Sequence, residues 1–204
     1  MPYTVRAAEG WPAPATIASP KPSLPLLCHP GAANAAVGSV LASASLSAGG
    51  EVVFSFTLEG DLSAVRIPAP AQAGRADGLW QHTCFEAFVA AANTPAYVEL
   101  NFSPSGQWAA YAFEDYRTGM APMEMAAPRT TVRRSPDRLQ LDAILDVDVL
   151  PGLARGGPWR IGLSAVIEGD DGGLTYWALH HGPGIPDFHA REGFVLPLAG
   201  VVSR

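Results

Sequence analysis

The chain has 204 residues, of which 48% are hydrophobic and 16% charged, and a formal net charge of −6. That is enough apolar material for one sizeable core and too little charge for a disordered chain. Lys21 is the one lysine, and the arginines are scattered apart from Arg129, Arg133, Arg134 and Arg138. No basic stripe offsets a phosphate backbone, so no nucleic-acid partner is expected.

The first 25 residues carry Pro2, Pro12, Pro14, Pro20, Pro22 and Pro25. Such density reads as a flexible N-terminal arm over 1–25, with a single β domain over 26–204. The opening residues have no apolar signal-peptide region, and no segment approaches the roughly 20 apolar residues that span a bilayer. Cys28 and Cys84 are the two cysteines, which suits a reducing compartment. The expectation is a cytoplasmic protein with no membrane partner. Residues 32–46 are rich in Ala and Ser and fit either a short helix or a strand. From 51 the signals are β: Phe54, Phe56 and Leu58 alternate with Ser55 and Thr57. Gly60-Asp61 then reads as a turn, Ala64 to Ile67 as a short strand and Pro68 to Gly74 as a loop.

The stretch Arg75 to Met120 reads as three successive strands. In Trp80 to Val89, alternation puts Thr83, Phe85, Ala87 and Val89 on one side and Trp80, His82, Cys84 and Glu86 on the other. In Tyr97 to Ser103, Val98, Leu100 and Phe102 form the oily side, opposite Tyr97, Glu99, Asn101 and Ser103. A sheet face carrying Trp, Tyr, His, Glu and Asn suits a polar small molecule with apolar faces, such as a sugar. The outer face of an ordinary sandwich is the alternative. Ser103-Pro104-Ser105-Gly106 is a hairpin turn. Further strands are expected at Leu139 to Ala143, Ile161 to Ile167, Thr175 to His181 and Phe194 to Leu198, with Asp170 to Gly173 as a tight connection. About ten strands and no convincing helix predict an all-β sandwich.

Three long runs carry a family resemblance: LWQHTCFEAF at 79–88, NFSPSGQWAAYAF followed by Tyr116-Arg117, and YWALHH leading to PDFH at 186–189. With Leu27-Cys28-His29-Pro30 and Ala165 to Glu168, they make the chain resemble the bacterial DOMON-like family related to type 9 carbohydrate-binding modules. The resemblance covers about 26–198. It implies a jelly-roll-like antiparallel β-sandwich that, in relatives, binds sugars or haem.

A non-catalytic carbohydrate-binding domain is the leading expectation. Sugar C–H faces stack on aromatic rings, and hydroxyls need a few fixed donors and acceptors. The candidate ligand-binding residues are Trp80, His82, Glu86, Asn101, Trp108, Tyr111, Arg117, Trp177, His180 and His189. Trp108, Tyr111 and Trp177 also suit a core. A structural role for Glu86 would be a hydrogen bond or ion pair with Arg117 or His82. Asp187 suits a turn after Pro186, with His189 pointing into the site or capping a strand end.

Two other classes stay open. A haem-binding, cytochrome-like domain would draw axial ligands from the histidines and from Met120, Met123 and Met125, although no CxxCH motif occurs. A glycoside-processing enzyme would pair Glu86 with Glu99. Metal signals are weak. His180 and His181 face opposite ways on a strand, and Glu168, Asp170 and Asp171 suit either Ca²⁺ or a solvated hairpin tip. No cofactor is therefore expected, with haem and Ca²⁺ as the alternatives.

Overall fold

The computed structural model describes residues 22–31, 36–47, 49–91, 94–150 and 158–199. Its strands, in chain order, are β1 (Leu24–Pro25), β2 (Leu27–Cys28), β3 (Val37–Leu46), β4 (Glu51–Gly60), β5 (Gly74–Arg75), β6 (Cys84–Ala91) and β7 (Tyr97–Phe102). There follow β8 (Gln107–Phe113), β9 (Ala121–Pro122), β10 (Arg129–Arg134), β11 (Arg138–Asp146), β12 (Pro158–Glu168), β13 (Leu174–Ala178) and β14 (Leu196–Ala199). They form two sheets, one of five strands in the order β1-β3-β4-β11-β10 and one of nine built on β2-β13-β12-β6-β7-β8-β5. Pairing is antiparallel except for the short contact of β5 with β8. The result is the expected jelly-roll-like antiparallel β-sandwich. No helix of the described residues is long and apolar enough to cross a membrane.

The smaller sheet follows its sequence pattern closely. Val40, Ala42, Ala44, Phe54, Phe56, Leu58, Leu139, Leu141 and Ala143 are buried, and the residues between them are less so. Its outer face is solvated and crossed by ion pairs such as Arg133–Asp142 at 2.8 Å and Arg138–Glu59 at 3.4 Å. The buried side meets Phe85, Ala87, Leu100, Phe102, Leu163, Ala165 and Ile167 of the larger sheet in one apolar cluster. Across the interface Phe56 stacks on Phe85 with centroids 5.1 Å apart.

The larger sheet does not alternate in burial: β7 is buried at every position, and β6 at all but its last. Its second face is covered too. A separate cluster of Phe88, Ala90, Tyr97, Ala109, Tyr111, Phe113 and Phe194, with Leu79 and Phe188 against it, occupies that side. The cover comes from short segments outside the strands, the 3₁₀ turns at Leu79–Gln81, just before β6, and at Arg191–Gly193, and the loop that holds Phe188. Gly162 makes this closure feasible, because a Cβ there would lie 2.8 Å from Cδ1 of Phe194 and 3.4 Å from Cβ of Phe88.

Several local expectations are corrected. Of the two readings open for 32–46, residues 37–46 take the strand. The strand expected from Trp80 begins only at Cys84, because Gly78 (φ 74°) opens a 3₁₀ turn in which the Gln81 N–H reaches the Gly78 carbonyl. Trp80 and His82 therefore do not share a strand face with Glu86. The strand expected at Ala64 to Ile67 is a 3₁₀ turn at Leu62–Ala64 and a single bridge from Val65 to Gly169. Most of the expected arm lies outside the described residues. Its end, Leu24–Pro25, pairs with β3 and so belongs to the sandwich.

Gly162→Ala should destabilise the fold by about 1–3 kcal/mol, the usual effect of overpacking, because Phe194 must leave Phe88 to admit the methyl. Chemical denaturation against wild type measures it, and near-UV circular dichroism should show the loosened aromatic cluster.

Candidate functional site

Strand register sets out the outer face of the larger sheet as a grid. Across β13, β12, β6, β7 and β8 one row reads Ala178, Ser164, Glu86, Asn101 and Ala109. The next row, across β12, β6, β7 and β8, reads Gly162, Phe88, Glu99 and Tyr111. Two carboxyls thus sit diagonally on adjacent strands within a field of small and aromatic side chains.

Both are withdrawn from water. Glu86 is 3% exposed and accepts a hydrogen bond from Ser164 Oγ at 3.1 Å. Burial, reinforced by the Glu99 charge, pushes its pKa up to about 8, so at neutral pH it holds its proton. Glu99 accepts from Asn101 Nδ2 at 2.7 Å, and burial raises its pKa as well, against the pull of Asn101 and Arg117. Cys84 lies beside them, its thiol pushed up by burial and then by Glu86.

His189 closes the other side of Glu99. Its Nδ1 is 2.7 Å from the Tyr97 hydroxyl, whose oxygen already accepts the Arg117 N–H at 3.2 Å. The arrangement that satisfies all three has Tyr97 donating to Nδ1, which leaves the protonated Nε2 toward Glu99 Oε2 at 3.7 Å. Burial and then the Arg117 charge lower the His189 pKa to about 4, so the imidazole is neutral. Arg117 takes a left-handed backbone (φ 51°) and pairs with Asp187 at 2.8 Å. Asp187 also accepts from the Tyr116 hydroxyl at 2.6 Å and from the His189 N–H at 3.0 Å. Burial works against the Asp187 charge, but these hydrogen bonds outweigh it and hold the carboxyl below its ordinary range.

At the opposite end of the face Trp80 packs edge-on against Tyr111, with centroids 6.1 Å apart. Tyr111 donates to Asp77 Oδ1 at 2.7 Å and lies beneath the Arg75 guanidinium, 5.2 Å from the ring centroid. Its hydroxyl is pushed well up, first by burial and then by Asp77.

The ten nominated residues therefore divide. Glu86, Asn101, Tyr111 and His189 share the covered face, and Trp80 and Arg117 stand at its two ends. His82 lies at a corner, its Nδ1 2.8 Å from Glu168, which Arg66 also holds at 2.9 Å. His180 lines a small crevice with Phe88, Ser164 and Phe188. Trp108 and Trp177 point the opposite way, into the inter-sheet core, and cannot join the others. Glu86 pairs with neither Arg117 nor His82, since both are engaged elsewhere. Of the methionines, Met123 is in the core, Met125 packs against it and Met120 is exposed. Sequence reasoning passed over Tyr97 and Asp187 as site residues and missed Asp77. Tyr97 was legible from its position on the Glu99 side of β7, whereas the other two act from loops.

No family model matches the chain, and no curated protein matches it. The DOMON-like resemblance therefore rests on the sequence runs. Among solved structures, a candidate carbohydrate-binding protein from Bacteroides uniformis ATCC 8492 is similar at TM-score 0.55 and 15% identity, over 79% of this chain and 77% of its own. A family 9 carbohydrate binding module from Caldicellulosiruptor kristjanssonii, in complex with glucose, gives TM-score 0.47 and 10% identity over 82% and 78%. At 15% identity the first likeness speaks of fold alone.

The two neutral groups give opposite pH dependences. Glu86 has a folded pKa near 8 against an ordinary value of 4.5, so its stabilising contribution is complete below 4.5 and is lost as pH rises through 8. His189, near 4 against 6.5, contributes fully above 6.5 and loses its contribution as pH falls through 4. Between about 6.5 and about 8 the His189 contribution is constant, and the Glu86 decline acts with any from the raised Glu99 in the same direction. Melting curves should show Tm falling over that window in wild type, and Glu86→Gln, which mimics the protonated carboxyl, should flatten most of the fall.

Proposed function

We propose that this chain is a non-catalytic binding domain for a carbohydrate or a similarly polar small molecule. Its binding surface is the exposed rim of the roofed outer face of the larger sheet, at Trp80 and at the corner formed by Tyr116, Arg117 and Asp187. One observation carries the reading. Trp80 and Tyr116 are left 38% and 49% exposed at the two ends of a continuous set of contacts that runs through Tyr111, Glu99, His189, Tyr97 and Arg117. Exposed rings flanking fixed donors and acceptors match the amphipathic surface of a sugar. The rim groups are held in place from beneath, Asp77 by Tyr111 and Arg75, and Asp187 by Tyr116 and Arg117, so a ligand would find them preorganised. The sandwich of the Bacteroides uniformis protein, a candidate carbohydrate binder, is a further support at the level of fold.

Hydrolysis by Glu86 and Glu99 is the less favoured reading for a physical reason. Glu86 is roofed over, so neither a substrate ring nor an attacking water can stand between the two carboxyls as the reaction requires.

Thermal-shift and calorimetric titration against a panel of neutral monosaccharides and short oligosaccharides, with haem as a separate arm, tests the proposal. One sugar class should stabilise the native protein. Trp80→Ala should then weaken binding about tenfold, in line with losing one aromatic stacking contact. Because Trp80 lies at the rim, its loss should leave the fold intact. Unchanged sugar affinity in Trp80→Ala would place the site elsewhere. A Soret band in protein purified with haem supplied would replace the sugar reading.

A further inference from the structure

We propose that a second site, the cavity between Arg160 and Arg191, binds the oxyanion group of a small molecule: a phosphate, sulfate or carboxylate. The inference does not depend on the sugar reading, since of the residues around this cavity only Phe194 touches the site above, through Tyr97.

Arg160 lies on β12 between Trp159 and Ile161, both of which point into the inter-sheet core, so Arg160 projects from the outer face. The strand is fixed on both edges there, with Arg160 opposite Ala90 of β6 and Pro197 of β14. Arg191 opens the 3₁₀ turn that carries the chain to Phe194. One of its terminal nitrogens, Nη2, donates to the Thr94 carbonyl, and its guanidinium lies 5.6 Å from the centroid of the Phe194 ring. A cavity of about 420 Å³ opens between the two arginines, lined by Ala91, Arg160, Arg191, Phe194 and Val195.

Three features make this a binding site for an anion. First, Nη1 of Arg191 is withdrawn from solvent and has no hydrogen-bond partner among the described residues. A buried guanidinium N–H is unfavourable unless an acceptor meets it, so an oxyanion in the adjoining cavity, met by a small turn of the Arg191 guanidinium, would relieve it. Second, charge is uncompensated here. Arg66, Arg75, Arg117, Arg129, Arg133 and Arg138 each pair with a carboxylate, whereas Arg160 and Arg191 pair with none among the described residues. Glu192, next along the turn, is exposed and does not line the cavity. Third, the volume suits a small molecule, and Phe194 and Val195 add an apolar wall for the body that carries the anion. Two planar guanidinium forks recognise an oxyanion through paired, charge-assisted hydrogen bonds.

The test titrates inorganic phosphate, glucose 6-phosphate and glucuronate, with glucose as the neutral control, at constant ionic strength. Affinity is read by calorimetry and contact by the arginine side-chain ¹⁵N–¹H signals. At least one anion should bind saturably and shift the Arg191 signal. Arg160→Gln, an exposed substitution that leaves the cluster untouched, should weaken that binding about tenfold, the scale of one charged hydrogen bond. Arg191→Lys keeps the charge but loses the fork, and should weaken it similarly. Equal affinity for phosphate and glucose 6-phosphate would show that the group alone is read, and a preference for either sugar acid would show that the apolar wall contributes. The proposal fails if no anion binds saturably, or if both variants bind as wild type does.

Discussion

Phe194 stacks on Phe88 with centroids 5.7 Å apart, and it lies so close to the sheet only because residue 162 beneath it lacks a side chain. Much of the outer face of the larger sheet depends on that contact. Phe194 also meets Tyr97 edge-on, and Tyr97 stacks on Phe113 at 4.7 Å, so one docked ring organises an aromatic cluster across β6, β7 and β8. The turn that delivers Phe194 also brings Arg191, and the loop before it brings Asp187, Phe188 and His189. A sheet face that alternation alone would leave in water becomes a second interior.

Burial then dictates the protonation of what lies beneath. Glu86 has no cation beside it, and a lone carboxylate in so dry a place is far costlier than a carboxylic acid. The acid holds its proton, and the imidazole of His189 gives its proton up. The cluster is polar in shape but nearly uncharged, held by hydrogen bonds from Ser164, Asn101 and Tyr97. Paired charge lies where water reaches, in the Arg117–Asp187 and Arg75–Asp77 pairs at the rim. Oriented ion pairs and the exposed rings of Trp80 and Tyr116 make up the rim that this closure leaves open to solvent.

The two ends of β12 differ in the same terms. At Glu168 the strand ends in a satisfied network, with Arg66 and His82 on one carboxylate. At Arg160 it ends in positive charge with no counterpart among the described residues. In a protein of net charge −6 such a place is the exception, and electrostatics favours an anion there.

Much of the sandwich was legible in the sequence. Alternation in β4, β11 and β12 fixed which side chains enter the inter-sheet core. The same period correctly put Glu86 opposite Phe85, and Glu99 and Asn101 opposite Leu100, because in a strand the face of a side chain is a local property. Local rules failed where a single glycine redirected the chain, as Gly78 did for Trp80 and His82. They were silent on what covers a face. Arg117 meets Asp187 across 70 positions and His82 meets Glu168 across 86, and no periodicity encodes partners that remote. The sequence by itself determined the strands, their faces and the residue types available for binding. Only the tertiary structure decided that one outer face is roofed and the other wet, since burial depends on which distant loop returns to lie on the sheet.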